Sequence, residues 1–261
     1  FTAFAVLLSA PGIYSMERGN TILLTVFFVM LFVFYHDSEK AWLKELALIA
    51  FAFSIGLKIT PAVLGVLLLY NKQWKEIGRA VIYTLIVVFV PFLFFKGGFD
   101  NIAQMFSNIQ SNLSNYTSVE GCTLTASIFQ FTGVKEDAAG VIGVLTYLIC
   151  AVILVGSFFF RGKWKKILAV SLILVILPSH SGYYCILYLI PAMIAFLNEE
   201  KHSYDELIIL LTFLFIMIDV QSDTIQNAVN YHLSILIMTL YLVIQSGYII
   251  TKKIMSKNGG N

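Results

Sequence analysis

Apolar and polar positions fall in long blocks along this chain. Ten apolar runs, 1–14, 21–35, 43–57, 61–70, 80–95, 139–160, 167–178, 184–198, 206–220 and 233–250, are separated by polar connections. Continuous runs of this kind predict helices crossing a bilayer, which takes about 20 apolar residues per span. A membrane β-barrel would show short segments alternating residue by residue instead. Several runs are short for a full span. Pro61 divides the third run from the fourth, and Pro178 ends the seventh. Such breaks are tolerated where backbone lines a polar cavity or packs on protein. The long connection 96–138 places Phe99, Ile102, Met105, Phe106, Ile109 and Leu113 at spacings of three and four. That period predicts an amphipathic helix, lying in the membrane interface or covering a cavity. The expected fold is all-α: a polytopic transmembrane helical bundle of ten apolar segments, one integral membrane domain over 1–261, with an outer loop bearing an amphipathic helix.

Composition agrees. The chain is 59% hydrophobic and 12% charged, with mean hydropathy +0.84, against about 25% charged in a soluble domain. The net charge of +2 says little by its sum, because in a membrane protein the location of charge matters more. Three connections are basic: 71–79 with Lys72, Lys75 and Arg79; 161–166 with Arg161, Lys163, Lys165 and Lys166; and the tail with Lys252, Lys253 and Lys257. The positive-inside rule makes all three cytoplasmic, and alternation of the ten runs puts them on one side. Residues 16–20, 58–61, 96–138, 178–184 and 221–232 then face the other side. The chain opens on "FTAFAVLLSAPG", about half a span, with no charged region of a signal peptide. It therefore reads as starting inside a transmembrane helix, as a fragment of a longer protein.

Charge at membrane depth costs several kcal/mol unless it pairs, snorkels or meets water, so each charged residue at the edge of an apolar run is a candidate. In "SMERGNTILL", Glu17 and Arg18 are either an ion pair anchoring a helix end or a polar cluster at the mouth of a cavity. Gly19 lets the backbone turn, and Asn20 can cap a helix starting at Thr21. Lys58, in "SIGLKITPAVLG", is a compact cation suited to a phosphate. A helix opening at Pro61 would add its positive end; snorkelling to the headgroups is the plainer role. His180 in "LPSHSGYYC" stands among hydroxyls and rings, able to bond a phosphate or a sugar hydroxyl. Tyr183 and Tyr184 suit stacking on a sugar, or membership of an aromatic belt. Among the outer acids, Asp219 ends an apolar run. Cys122, Cys150 and Cys185 form no metal-ligand spacing. No Walker, zinc, nucleophile-elbow or dinucleotide motif is present. No metal, no cofactor and no nucleic-acid partner is expected.

"ERGN" before an apolar run, then "GLKITPAVLGVLLLYNKQWKE", a long outer loop, and "LPSHSGYYCILYLIPA" together resemble glycosyltransferase family 87, integral membrane enzymes of the GT-C superfamily similar to polyprenol-phosphate-mannose-dependent mannosyltransferases. The resemblance implies a GT-C-like bundle that moves mannose or another hexose from a polyprenyl phosphate to a lipid or glycan acceptor on the extracytoplasmic side, within a multi-pass cell-membrane protein. It implies donor phosphate and sugar contacts at Arg18, Asn20, Lys58, His180, Tyr183 and Tyr184. The family's catalytic acid usually lies in the first outer loop, upstream of residue 1, and Glu17 is a substitute candidate. Partners would be the lipid-linked sugar, its acceptor and membrane lipids. Two other readings fit such a chain: a transporter or flippase, and a membrane glycan ligase or polymerase. Against them stand the lack of an evident repeat and a loop 96–138 without arginine or histidine.

Overall fold

The computed structural model describes residues 6–114, 121–133, 138–178, 181–218, 220 and 229–258. Among them every regular element is helical. In chain order these are α1 (Ala10–Glu17), α2 (Ile22–Tyr35), α3 (Ala41–Leu57), α4 (Val66–Tyr70), α5 (Trp74–Phe89), α6 (Asn101–Ser114), α7 (Leu124–Thr132), α8 (Ala139–Ser157), α9 (Lys163–Ile176), α10 (Ile190–Leu197), α11 (Leu207–Phe215) and α12 (Val229–Asn258). Short 3₁₀ turns precede α4 (Thr60–Gly65), extend α5 (Val90–Phe94), and precede α6, α10 and α11. In hydrocarbon a helix satisfies its own backbone hydrogen bonds, which is why apolar sequence of this length takes this form. Trp74–Phe94, Ala139–Ser157 and Val229–Ser256 are long and apolar enough to cross a membrane. Their exposed faces are themselves apolar: on α8, Val141, Val144, Tyr147 and Leu148 are all exposed, as expected of a face solvated by lipid.

The chain forms two compact units, 21–117 and a second made of 1–20 with 118–261. In the 21–117 unit α2 packs on α3 and α3 on α5. Phe32 and Phe51 stack with centroids 4.0 Å apart, beside buried Val29, Val33, Ala47 and Leu48. At one end Glu45 takes both the Arg79 guanidinium and the Tyr83 hydroxyl, and Lys44 lies 3.9 Å from Glu76. An apolar groove of about 400 Å³, lined by Phe51, Ala62, Gly65, Leu69, Ala80 and Leu85, runs between α3, α4 and α5.

In the other unit α9 is the centre. Ile167 to Ile176 are all buried, as befits a helix apolar all round. Helices α8, α10 and α12 pack on α9, and α12 also packs on α7 and α11. Gly156 of α8 meets α12 so closely that a Cβ there would stand 2.8 Å from the Ser246 Cα. Helix α1 joins the unit through the Ala10 N–H, which donates to the Met217 carbonyl at 3.1 Å.

Two expectations are refined. The amphipathic helix is present as α6, but connection 96–138 also holds α7. Thr123 caps α7 by accepting from the Ala126 N–H at 3.0 Å, and Gly133, with φ +63°, ends it. The last helix runs from 229 to 258 rather than 233–250, because polar Asn230 is accommodated at its start by donating to the Phe215 and Ile218 carbonyls.

Candidate active site

The sharpest polar cluster lies in the α9-centred unit, where the start of α12, helix α7, the 3₁₀ turn Tyr183–Leu189 and helix α1 meet. His232, on the first turn of α12, is fully buried. Its Nδ1 is 3.0 Å from the Ser127 Oγ, and its Nε2 is 3.4 Å from the Tyr183 hydroxyl. The Ser127 hydroxyl also lies 2.7 Å from the Thr123 carbonyl, which can only accept, so it spends its one proton there. It must then accept from His232, which places the ring proton on Nδ1. The Nε2 lone pair is left facing Tyr183. The ring is held in one tautomer with its basic nitrogen toward the tyrosines.

Tyr183 stands edge-on to Tyr14, centroids 6.4 Å apart, and Tyr184 stacks on Tyr14 at 6.3 Å with planes 18° apart. Tyr231 closes the group at 5.6 Å from Tyr183. The Arg18 guanidinium carbon lies 5.1 Å from the Tyr14 ring centre; a spacing of four residues puts both on one face, and the contact is a cation–π pair. Gly182 makes room for this arrangement: a Cβ there would come within 2.6 Å of the Tyr184 ring. The Cys122 N–H ties α7's approach to the Ser181 carbonyl.

The predicted residues fare differently. Tyr183 and Tyr184 are half-buried at the centre of the cluster, and Arg18 is exposed at its rim. Glu17 is exposed in the last turn of α1. So "ERGN" closes one helix rather than opening the next, and Gly19 at φ +57° makes the turn between them. Asn20 is not the expected cap: the N-cap of α2 is Thr21, with no side-chain capping bond, and the Asn20 N–H turns back to the Ser15 carbonyl. Lys58 belongs to the 21–117 unit, half-buried and extended as the C-cap of α3. Pro61 does occupy the first turn of the element that follows, but that element is a six-residue 3₁₀ turn, not an α-helix. The 3₁₀ turn runs on directly into α4, so Thr60–Tyr70 form one continuous short helix. His180 and Asp219 lie outside the described residues. Tyr14, Ser127 and His232 were not singled out from sequence. For His232 the signal was present: "NYH" directly abuts the last apolar run, as "ERGN" does another.

Compared with known families, residues 1–179 match the model of glycosyltransferase family 87. The chain belongs to glycosyltransferase family 87. Membership makes this multi-pass helical protein a membrane glycosyltransferase, acting on a sugar donor and an acceptor. No curated protein and no solved structure gives a significant match. In this family 87 chain the matched stretch carries Tyr14, Arg18, Lys58 and Ser127. Tyr183, Tyr184 and His232 lie beyond it, brought back onto Tyr14 and Ser127 by the fold.

Proposed function

We propose that this protein moves a hexose from a polyprenyl phosphate to a hydroxyl of a lipid or glycan acceptor, at the extracytoplasmic face of the membrane. In such a transfer the acceptor oxygen bonds to the anomeric carbon, and the bond from that carbon to the phosphate oxygen breaks. The hydroxyl proton passes to a base, and the lipid phosphate leaves as an anion. The observation that carries the reading is the His232 lone pair held toward Tyr183 among stacked tyrosines. A neutral imidazole can serve as a general base, here through the Tyr183 hydroxyl 3.4 Å from its Nε2. Tyr14 and Tyr184 offer ring faces to a sugar, and Arg18 a cation to the departing phosphate. His232 suits the base better than exposed Glu17, whose carboxylate is solvated. In the 21–117 unit, taken by itself, Lys58, four residues before Ala62 of the apolar groove, is an alternative place for a lipid phosphate and its isoprenoid tail.

The test uses the protein in proteoliposomes with a radiolabelled polyprenyl-phosphate hexose. His232→Gln should lower kcat by about 10²–10⁴-fold with KM for the donor little changed, while Glu17→Gln keeps most of the rate. Full activity in His232→Gln with loss in Glu17→Gln would move the base to Glu17. Transfer from a nucleotide hexose but not from the lipid-linked one would overturn the donor.

A further inference from the structure

The opposite end of the α9-centred unit holds a second site, remote in sequence from the tyrosine cluster. A cavity of about 540 Å³ opens between the α8–α9 connection and the last turns of α12. Phe159, Arg161, Lys165, Tyr248, Lys252 and Lys253 line it, with the Gln245 amide and Ser256 hydroxyl beside them. Lys165 is committed to Glu206, its Nζ 2.7 Å from Oε1. A second acid, Asp205, accepts from the wall residue Gln245 at 3.2 Å. Arg161, Lys252 and Lys253 therefore leave the rim net positive.

Lys252 and Lys253 lie against rings. Lys253 Nζ lies 3.6 Å from the centre of the Phe159 ring, and Lys252 Nζ 6.0 Å from that of Tyr248. The depth follows from helix length. Helix α12 has 30 residues, about 45 Å, against a hydrocarbon core of about 30 Å. One end of so long a helix must emerge into the headgroup layer. Its end at Lys252 and Lys253 is the charged one, while its start is bound into the buried His232 cluster. A pocket lined by cations and by the exposed rings of Phe159 and Tyr248, at headgroup depth between spanning helices, has the chemistry of an anionic lipid headgroup site.

We propose that this cavity binds the phosphate headgroup of a resident anionic phospholipid, its acyl chains lying along the apolar flank of α12. The lipid is structural, not the sugar donor, and the site stands whatever donor the enzyme uses. A free phosphate shares the headgroup's chemistry, so the experiment separates the two. The full chain is placed in phosphatidylcholine nanodiscs and titrated with phosphatidylglycerol, with retained lipid counted by native mass spectrometry. A parallel arm uses inorganic phosphate alone. Lys252→Gln/Lys253→Gln should weaken phosphatidylglycerol retention by about tenfold or more, and Arg161→Gln alone by a smaller factor. Lys72→Gln/Lys75→Gln, which removes the same charge from the other unit, should leave retention unchanged. Unchanged melting temperatures would show that the variants fold. Equal retention by all variants overturns the proposal. So does inorganic phosphate displacing the lipid at comparable concentration, which would make the site one for a soluble anion.

Discussion

His232 has two neighbours and one ring proton, and the Thr123 carbonyl decides where that proton sits. Ser127 cannot donate both to Thr123 and to the ring. Replacing Ser127 by alanine should free the tautomer without emptying the cluster. The expected result is a drop in kcat of about tenfold, smaller than for His232→Gln, with donor KM unchanged; a shift in KM alone would mean that Ser127 only shapes binding. At the opposite end, burial by itself would raise the Glu206 carboxyl. Hydrogen bonds from Lys165 and His202, the Lys165 charge and the Ser203 N–H outweigh it, so its pKa lies below the ordinary 4.5. The folded state thus prefers the ionised form. The stability Glu206 contributes is complete above about pH 4.5 and is lost as pH falls through the lower folded value. Melting curves should show Glu206→Gln less stable than the parent at neutral pH, with the gap narrowing below pH 4.5. A gap independent of pH would mean that the ion pair is not its source. Lys165 and His202 are the side chains bonded to this carboxylate, at 2.7 Å and 3.0 Å.

At the scale of elements, close packing depends on two glycines that differ in kind. A Cβ on Gly156 meets the Ser246 backbone, whereas on Gly56 it meets only the Val87 side chain, at 2.6 Å. Backbone cannot step aside by changing rotamer. Gly156→Ala should therefore part α8 from α12 and cost about 1–3 kcal/mol. Gly56→Ala should cost less, as Val87 turns; thermal unfolding in detergent gives the comparison, and equal losses would contradict it. Helices were the most legible feature of the sequence, because length and hydropathy decide them. Among the described residues, each run from 21–35 to 233–250 is built mainly of helix, with 3₁₀ turns opening those at 61–70 and 184–198. Helix α7 was not legible: nine residues with Thr, Ser and Gln among apolar side chains are too short a stretch to stand out from the loop around them. Its existence rests on a cap at Thr123 and on packing against α12. The site was half legible. Tyr183 and Tyr184 stood out beside a helix break, but His232 is remote from them in sequence, and only tertiary contact couples the two.

At the scale of the whole molecule, the family and the membrane character follow from sequence, while sidedness rests on charge. Within the α9-centred unit the helix ends do sort as alternation demands: Tyr14, Ser127, Tyr183 and His232 gather at one end, and Phe159, Lys165, Glu206 and Lys253 at the other. Placing the basic end in the cytoplasm predicts an outcome for a membrane-impermeant maleimide. Asp100→Cys should label in intact cells, and Arg161→Cys only after permeabilisation. The reverse pattern would invert the protein.

The bond from Ala10 to Met217 and the stacking of Tyr14 on Tyr184 also set an order of events. Residues 21–117 can collapse as soon as they are made, but α1 has to wait. Its partners arrive roughly 170–200 residues later, about 10–40 s at ordinary rates of synthesis. During that interval Tyr14 stands without Tyr183 and Tyr184, and the tyrosine cluster cannot close until they have been made.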